Sequence, residues 1–144
     1  MREAVFSILG DVGGARVLDL YAGSGALAIE ALSRGAVEAT LVDSSAAAIA
    51  AIRHNLRGLG LEAEVRRQSA QSFLEAASRN GRQYDLVFVD PPYRLAESLA
   101  VGPVLAHGSR VVVESDRRAP LELDLPLTDR RRYGDTLIHF YGPR

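Results

Sequence analysis

The sequence predicts an α/β fold, a mainly parallel sheet of seven strands carrying a C-terminal antiparallel hairpin at one edge. Five short β-branched or apolar runs recur along the chain, and helix-like segments follow most of them. That alternation builds a parallel sheet through helical crossovers. The run from Tyr84 to Asp90 is almost continuously apolar, as a central strand covered on both faces requires. The last segment, from Leu127 to Tyr141, divides into two strands around Gly134-Asp135, a common hairpin turn pair.

Taken in order, Arg16 to Tyr21 is a buried strand and Ser24 to Ser33 a helix. Val37 to Asp43 is the second strand. Ser45 is an N-cap for a helix to about Arg57, in which Ala48, Ile49, Ile52 and Leu56 form one apolar face, and Gly58 and Gly60 end it. Glu62 to Arg67 alternates like a strand, and Ala70 to Ser78 is helical. After the central strand, Leu95 to Leu105 is expected to be a weaker helix and Arg110 to Glu114 another strand. No repeat, linker or low-complexity tract interrupts the pattern, so residues 1–144 are expected to form a single domain.

Composition narrows the function. Hydrophobic residues make up 47% and charged residues 24% of the 144, the balance of an ordinary globular protein. No apolar run reaches the roughly eighteen residues of a membrane span, and the start lacks a secretory pattern, so the cytoplasm is the expected compartment and no membrane partner is expected. There is no cysteine, which excludes disulfides, thiolate metal sites and cysteine nucleophiles. His54, His107 and His139 are scattered and read as surface or packing residues, and no metal site is expected. Every basic residue is arginine and the net charge is −1, which argues against binding nucleic acid by bulk charge. Arg117-Arg118 and Arg130-Arg131-Arg132 are either solvated charge clusters or local phosphate contacts.

Two motifs carry chemistry. In Val17-Leu18-Asp19-Leu20-Tyr21-Ala22-Gly23-Ser24-Gly25-Ala26 a strand ends in a Gly-x-Gly turn that opens a helix. Glycine lets the backbone turn sharply and approach a ligand, and the helix N-terminus offers unpaired N–H groups. Asp43, at the end of the second strand, is placed to accept hydrogen bonds from ribose hydroxyls. A dinucleotide fingerprint would have a third glycine where Ala28 stands. Asp19, inside the strand's end, suits a cationic group such as an amino acid's ammonium. Alternatively, the segment is a tight turn over a buried acid.

The second motif is Asp90-Pro91-Pro92-Tyr93. Two prolines cannot donate to a sheet, and they hold the chain rigidly extended. An amine on an aromatic base is a poor nucleophile because its lone pair is delocalised. The Asp90 carboxylate and the Pro91 carbonyl could each accept one of its N–H groups, localise the lone pair and aim it at a methyl sulfonium. Tyr93 could stack on the base, and ionised Asp90 could stabilise the cation forming on nitrogen. A rigid strand-to-loop turn is the alternative.

With both motifs placed, the chain resembles the RsmD family, which methylates guanine N2 in bacterial 16S ribosomal RNA. The similarity runs from Arg2-Glu3-Ala4-Val5-Phe6-Ser7-Ile8-Leu9, like the family's first helix, through both motifs to Arg132-Tyr133-Gly134-Asp135-Thr136, like its tail signature. The resemblance implies a Rossmann-like class I methyltransferase fold, S-adenosylmethionine as cofactor and S-adenosylhomocysteine as product. It implies that Asp90, Pro91, Pro92 and Tyr93 act on the base. Asp19, Leu20, Tyr21, Ala22, Gly23, Ser24, Gly25, Asp43, Ser44, Ser69 and Ala70 would hold the cofactor, and Arg131, Arg132 and Tyr133 would contact RNA. The expected partner is 16S RNA within the small subunit or an assembly intermediate, met by a monomer. The resemblance departs in two places. Family members carry an N-terminal extension rich in glycine and arginine, and Met1 falls inside the segment that follows it. The expectation is a chain without that extension, through truncation or a late-assigned start, and with less RNA-binding charge. Where relatives place an Asp for the adenine amine, this chain has Gln68-Ser69-Ala70, leaving Ser69 or Gln71 to substitute. Rival readings are an N6-adenine or protein-glutamine methyltransferase, and a truncated cofactor-binding form without activity.

Overall fold

A computed structural model describes residues 2–92, 99–118 and 120–142. Along the chain come α1 (Arg2–Leu9), β1 (Arg16–Leu20), α2 (Ala26–Ser33), β2 (Glu38–Asp43), α3 (Ala46–Leu59), β3 (Glu64–Arg67), α4 (Ala70–Arg79) and β4 (Tyr84–Val89). A 3₁₀ turn (Gly102–Val104), β5 (Leu105–Asp116), β6 (Leu127–Tyr133) and β7 (Thr136–Tyr141) complete it. All seven strands form one sheet in the order β3-β2-β1-β4-β5-β7-β6. Strands β1 to β5 are parallel, β7 is antiparallel to β5, and β6 is antiparallel to β7. The expected mainly parallel sheet with a closing hairpin is therefore observed. No described helix is long and apolar enough to cross a membrane.

Local chemistry accounts for the helix ends. Ser45 is extended and its hydroxyl accepts the Ala48 N–H at 3.2 Å, while Ser69 does the same for Ser72 at 3.1 Å. Gly60, in the left-handed region at φ 66°, ends α3; Gly58 lies inside the helix instead of ending it. Ile49, Ile52 and Leu56 form the buried stripe of α3.

One expected element is wrong. Of the helix expected over Leu95 to Leu105, residues 95–98 lie outside the described part. Residues 99–101 have no regular structure, Gly102–Val104 makes a 3₁₀ turn, and Leu105 already belongs to β5. Pro103 removes a helical N–H and disfavours the helical region for Gly102, which explains the failure. Accordingly β5 starts five residues before the expected Arg110. Its pairing with β4 jumps from Tyr84↔Leu105 to Leu86↔Arg110, so β5 absorbs three extra residues in an irregularity around Gly108.

The core has two layers. Helices α1, α2 and α3 cover one face, with Phe6 against Phe88 at 5.9 Å between ring centroids. Helix α4, Val104 and the Leu121, Leu123 and Leu125 side chains cover the other. The Arg110 guanidinium donates to the Leu9 carbonyl, placing a cation at the C-terminal end of α1 and tying that helix to β5. Between β1 and β4 the strand order reverses, which opens a crevice at the carboxyl ends of the strands. The loop after β1 and the described part of the second motif, Asp90-Pro91-Pro92, lie at that crevice.

Candidate active site

The loop after β1 is held by backbone bonds and one carboxylate. Ala22 N–H donates to the Val42 carbonyl at 3.0 Å, and Gly25 N–H donates to the Ala22 carbonyl at 2.8 Å. The Asp43 Oδ2 accepts the Gly23 N–H at 2.9 Å, and its Oδ1 accepts the Ser45 N–H at 2.9 Å. Asp43 therefore anchors the loop as well as facing the crevice. A carboxylate offers about four acceptor positions, which leaves room for ligand hydroxyls. Tyr21 sits at φ 59°, a left-handed conformation that costs a non-glycine residue about 1 kcal/mol or more.

The two glycines do different work. Gly23, at φ 59°, faces open space. Gly25, at φ 81°, packs against the core: an added Cβ would lie 2.8 Å from Leu41 Cδ2 and 3.3 Å from Ile52 Cγ1. Gly25→Ala is expected to lose about 2–4 kcal/mol of stability and Gly23→Ala about 1, measured by denaturant unfolding. Equal losses would mean that the close packing beneath Gly25 is relieved at no cost.

Three carboxylates converge beside this loop. Val17, Phe88 and Val112 pack beneath the α1–α3 layer. Two residues further along each strand the alternation of side chains brings Asp19, Asp90 and Glu114 to that same face. All three line a cavity of about 300 Å3, together with Arg2, Val5 and the Tyr21 to Ser24 loop. Asp19 is only 2% exposed, and its Oδ2 accepts the Ala28 N–H from the first turn of α2 at 3.2 Å. Burial holds its carboxyl well above the usual range, with Asp90 and Asp43 adding repulsion and the Ala28 bond opposing. The Asp90 carboxyl is pushed up to about 7, first by desolvation and then by the Glu114 charge. Its side chain nevertheless reaches solvent, because it stands at the mouth of the crevice with protein on its other sides. Burial also raises Glu114.

Tyr21 and Asp90 also border a second cavity of about 560 Å3, walled by Asp43, Ser44, Ser69, Ala70, Pro91 and Pro92. The crevice thus has a small acidic end and a larger polar end, divided by Tyr21 and Asp90. Most of the sequence-predicted cofactor residues come together here. Leu20 and Gly25 do not, since Leu20 is fully buried in the core and Gly25 packs under the loop. The Ser69 hydroxyl is engaged as the α4 cap. Tyr93 lies outside the described residues.

Arg131, Arg132 and Tyr133 are exposed on the edge strand β6. Tyr133 pairs with Thr136, which pairs with Asp116, so this hairpin turn lies at the same end of the sheet as Asp90 and Glu114. Their charges are partly answered locally: Arg131 donates to Asp129 at 3.1 Å, Arg132 to the Gly134 carbonyl at 2.9 Å, and Arg117 pairs with Asp135 at 2.8 Å. Sequence reasoning missed Glu114, Arg2 and Val5. A signal for Glu114 existed, an acid directly after the apolar run Val111-Val112-Val113, as Asp90 follows Val87-Phe88-Val89.

The profile of the family described as "Conserved hypothetical protein 95" matches residues 1–142. The "Putative rRNA methyltransferase YlbH" of Bacillus subtilis (strain 168) is 35% identical over 156 residues, covering 100% of this chain and 85% of that protein. The "Ribosomal RNA small subunit methyltransferase D" of Escherichia coli (strain K12) is 43% identical over 96 residues, 65% of this chain and 47% of that protein, so the match spans about half of it. Among solved structures, a conserved hypothetical protein of Streptococcus pyogenes superposes with a TM-score of 0.85 at 34% identity, covering 100% of this chain and 96% of that one.

Proposed function

Because the chain belongs to the family described as "Conserved hypothetical protein 95", the RsmD family, we propose that it transfers a methyl group from S-adenosylmethionine to N2 of a guanine in small-subunit (16S) ribosomal RNA. The observation that carries this reading is the meeting of Asp19, Asp90 and the glycine loop at one crevice, with basic residues on the adjoining sheet edge.

The donor set fits the cofactor. Asp19 is a buried carboxylate with one hydrogen bond, suited to an amino acid's ammonium, and the Asp43 oxygens at the larger end suit sugar hydroxyls. Ser69 and Ala70, which wall the larger end, would hold the adenine. When bound, the cofactor supplies a methyl group on a positive sulfur. Asp90 and the Pro91 carbonyl accept the N–H groups of the amine, which favours the pyramidal nitrogen, and ionised Asp90 stabilises its developing charge. Arg131, Arg132 and Tyr133 hold the RNA at the rim. The near-neutral chain favours a ribonucleoprotein substrate, in the cytoplasm, where bound proteins add contacts that a monomer of this chain lacks.

The test is methyl transfer from radiolabelled S-adenosylmethionine to small subunits that lack the modification, with the product base identified by mass. N2-methylguanine at one position is the expected result. N6-methyladenine, methylated protein, or cofactor binding without transfer would overturn it. Arg131→Glu with Arg132→Glu is expected to weaken RNA binding tenfold or more and reduce the salt slope by about 2, measured by filter binding at several salt concentrations. Cofactor affinity should stay intact; a parallel loss would assign these arginines a structural role.

A further inference from the structure

We infer that Glu114 selects guanine, its carboxylate accepting the ring N1–H beside the amine that Asp90 and Pro91 hold. The inference rests on the reading of the crevice as a guanine-N2 methyltransferase site and adds to it the residue that identifies the base.

Glu114 follows Val113, the last β5 residue paired with β4, where Val113 stands opposite Val89. Asp90 and Glu114 therefore continue two adjacent parallel strands, roughly 5 Å apart. Both line the small end of the crevice. Glu114 is only partly exposed, yet no hydrogen-bond donor among the described residues reaches its carboxylate. The same holds for Asp90. The other charged groups acting at this end are Asp19 from β1, which is engaged by Ala28, Arg2 from α1, whose Nε lies 3.4 Å from Glu30, and the N-terminal ammonium, whose charge favours ionised Glu114. Two neighbouring carboxylates that no described protein donor engages keep acceptor positions open toward the cavity, which suits a ligand that presents adjacent N–H groups.

Base chemistry decides which ligand. The pairing edge of guanine carries N1–H beside the N2 amine, three N–H bonds in a row. Adenine and cytosine carry an amine beside an unprotonated ring nitrogen, whose lone pair would face Glu114. The carboxylate then repels the wrong base and is left unpaired, which is the strongest form of discrimination a polar site achieves. An isolated Asp-Pro-Pro turn accepts any of these amines, so the second acceptor is what distinguishes them.

The probe is 2-aminopurine, which keeps the 2-amine and lacks the N1 proton. The wild-type chain locates the target by forming N2-methylguanine in unmodified small subunits, and subunits are then reassembled around RNA carrying 2-aminopurine there. Wild type should favour guanine by about 100-fold or more in kcat/KM. In Glu114→Gln the amide can turn its N–H toward an unprotonated N1, so the preference should fall below about tenfold, with cofactor Kd changed less than twofold by calorimetry. An unchanged preference overturns the inference, whether both substrates decline equally or neither does. A tenfold loss of cofactor affinity with the preference kept assigns Glu114 to the cofactor instead and also overturns it. Absence of wild-type N2-methylguanine defeats the underlying function; wild-type activity with an unchanged preference defeats this inference alone.

Discussion

Asp90→Ala lowers kcat/KM for methyl transfer by about 10²–10⁴-fold while changing cofactor affinity less than tenfold. Alanine removes one of the two acceptors for the amine and the carboxylate charge closest to the nitrogen that becomes cationic, but it leaves Asp19, Asp43 and the loop bonds in place. Asp90→Asn keeps an acceptor oxygen without the charge, so its activity should lie between those of alanine and wild type. The acid form of Asp90 cannot do this work. Its carboxyl is raised to about 7 by desolvation and by Glu114, so kcat/KM, which reports the free enzyme, should fall as pH drops through about 7. The charged groups facing it are Glu114 on β5, Asp19 on β1, Arg2 on α1 and, in the larger cavity, Asp43 at the end of β2. Glu114→Gln removes one of the repulsions and should move that limb to lower pH. A wild-type profile flat from pH 5 to 9 would show that ionisation of Asp90 is not required.

Asp19→Asn should weaken S-adenosylmethionine binding by about 100-fold and at the same time stabilise the ligand-free protein. The first effect follows from removing the buried negative charge that answers an ammonium group, a loss of about 2–5 kcal/mol for such pairs. The second follows from proton linkage. The folded-state pKa of Asp19 lies well above its unfolded value, so between the two the folded chain binds more protons. Stability from this group is therefore full below the unfolded pKa near 4 and falls as pH rises toward the folded pKa. At neutral pH the wild-type fold carries that cost, and asparagine does not. A gain of about 1 kcal/mol, roughly 3–5 °C in Tm for a chain of this size, is expected at pH 7 and should vanish below pH 4. Thermal melts across pH, with calorimetry for the cofactor, check both halves. A lower Tm at pH 7 would make Asp19 a structural anchor for Ala28 and α2 instead.

Much of this was legible beforehand. The 3.6-residue stripe of Ile49, Ile52 and Leu56, the cap Ser45 and the apolar run before Asp90 are local signals, and each became the element it implied. The helix expected after Leu95 failed where described because Gly102-Pro103 is a local breaker that a weak periodicity cannot override. The site was legible where a turn or a strand end announced it, as at Asp19, Gly23, Asp43 and Asp90.

By itself, then, the sequence determined the alternation of strands and helices, the closing hairpin and two carboxylates at strand ends, since these depend on periodicity and turn chemistry within a few residues. Tertiary structure alone decided the rest. Gly25 looked like a site of ligand approach, and only the fold puts Leu41 and Ile52 beneath it. Asp43 holds Gly23 across twenty residues of chain, and Arg110 holds the end of α1 across a hundred. Glu114 became part of the site only when register set β5 beside β4. Register and layer packing arise from contacts between distant segments, and no local pattern encodes which strand end will stand next to which.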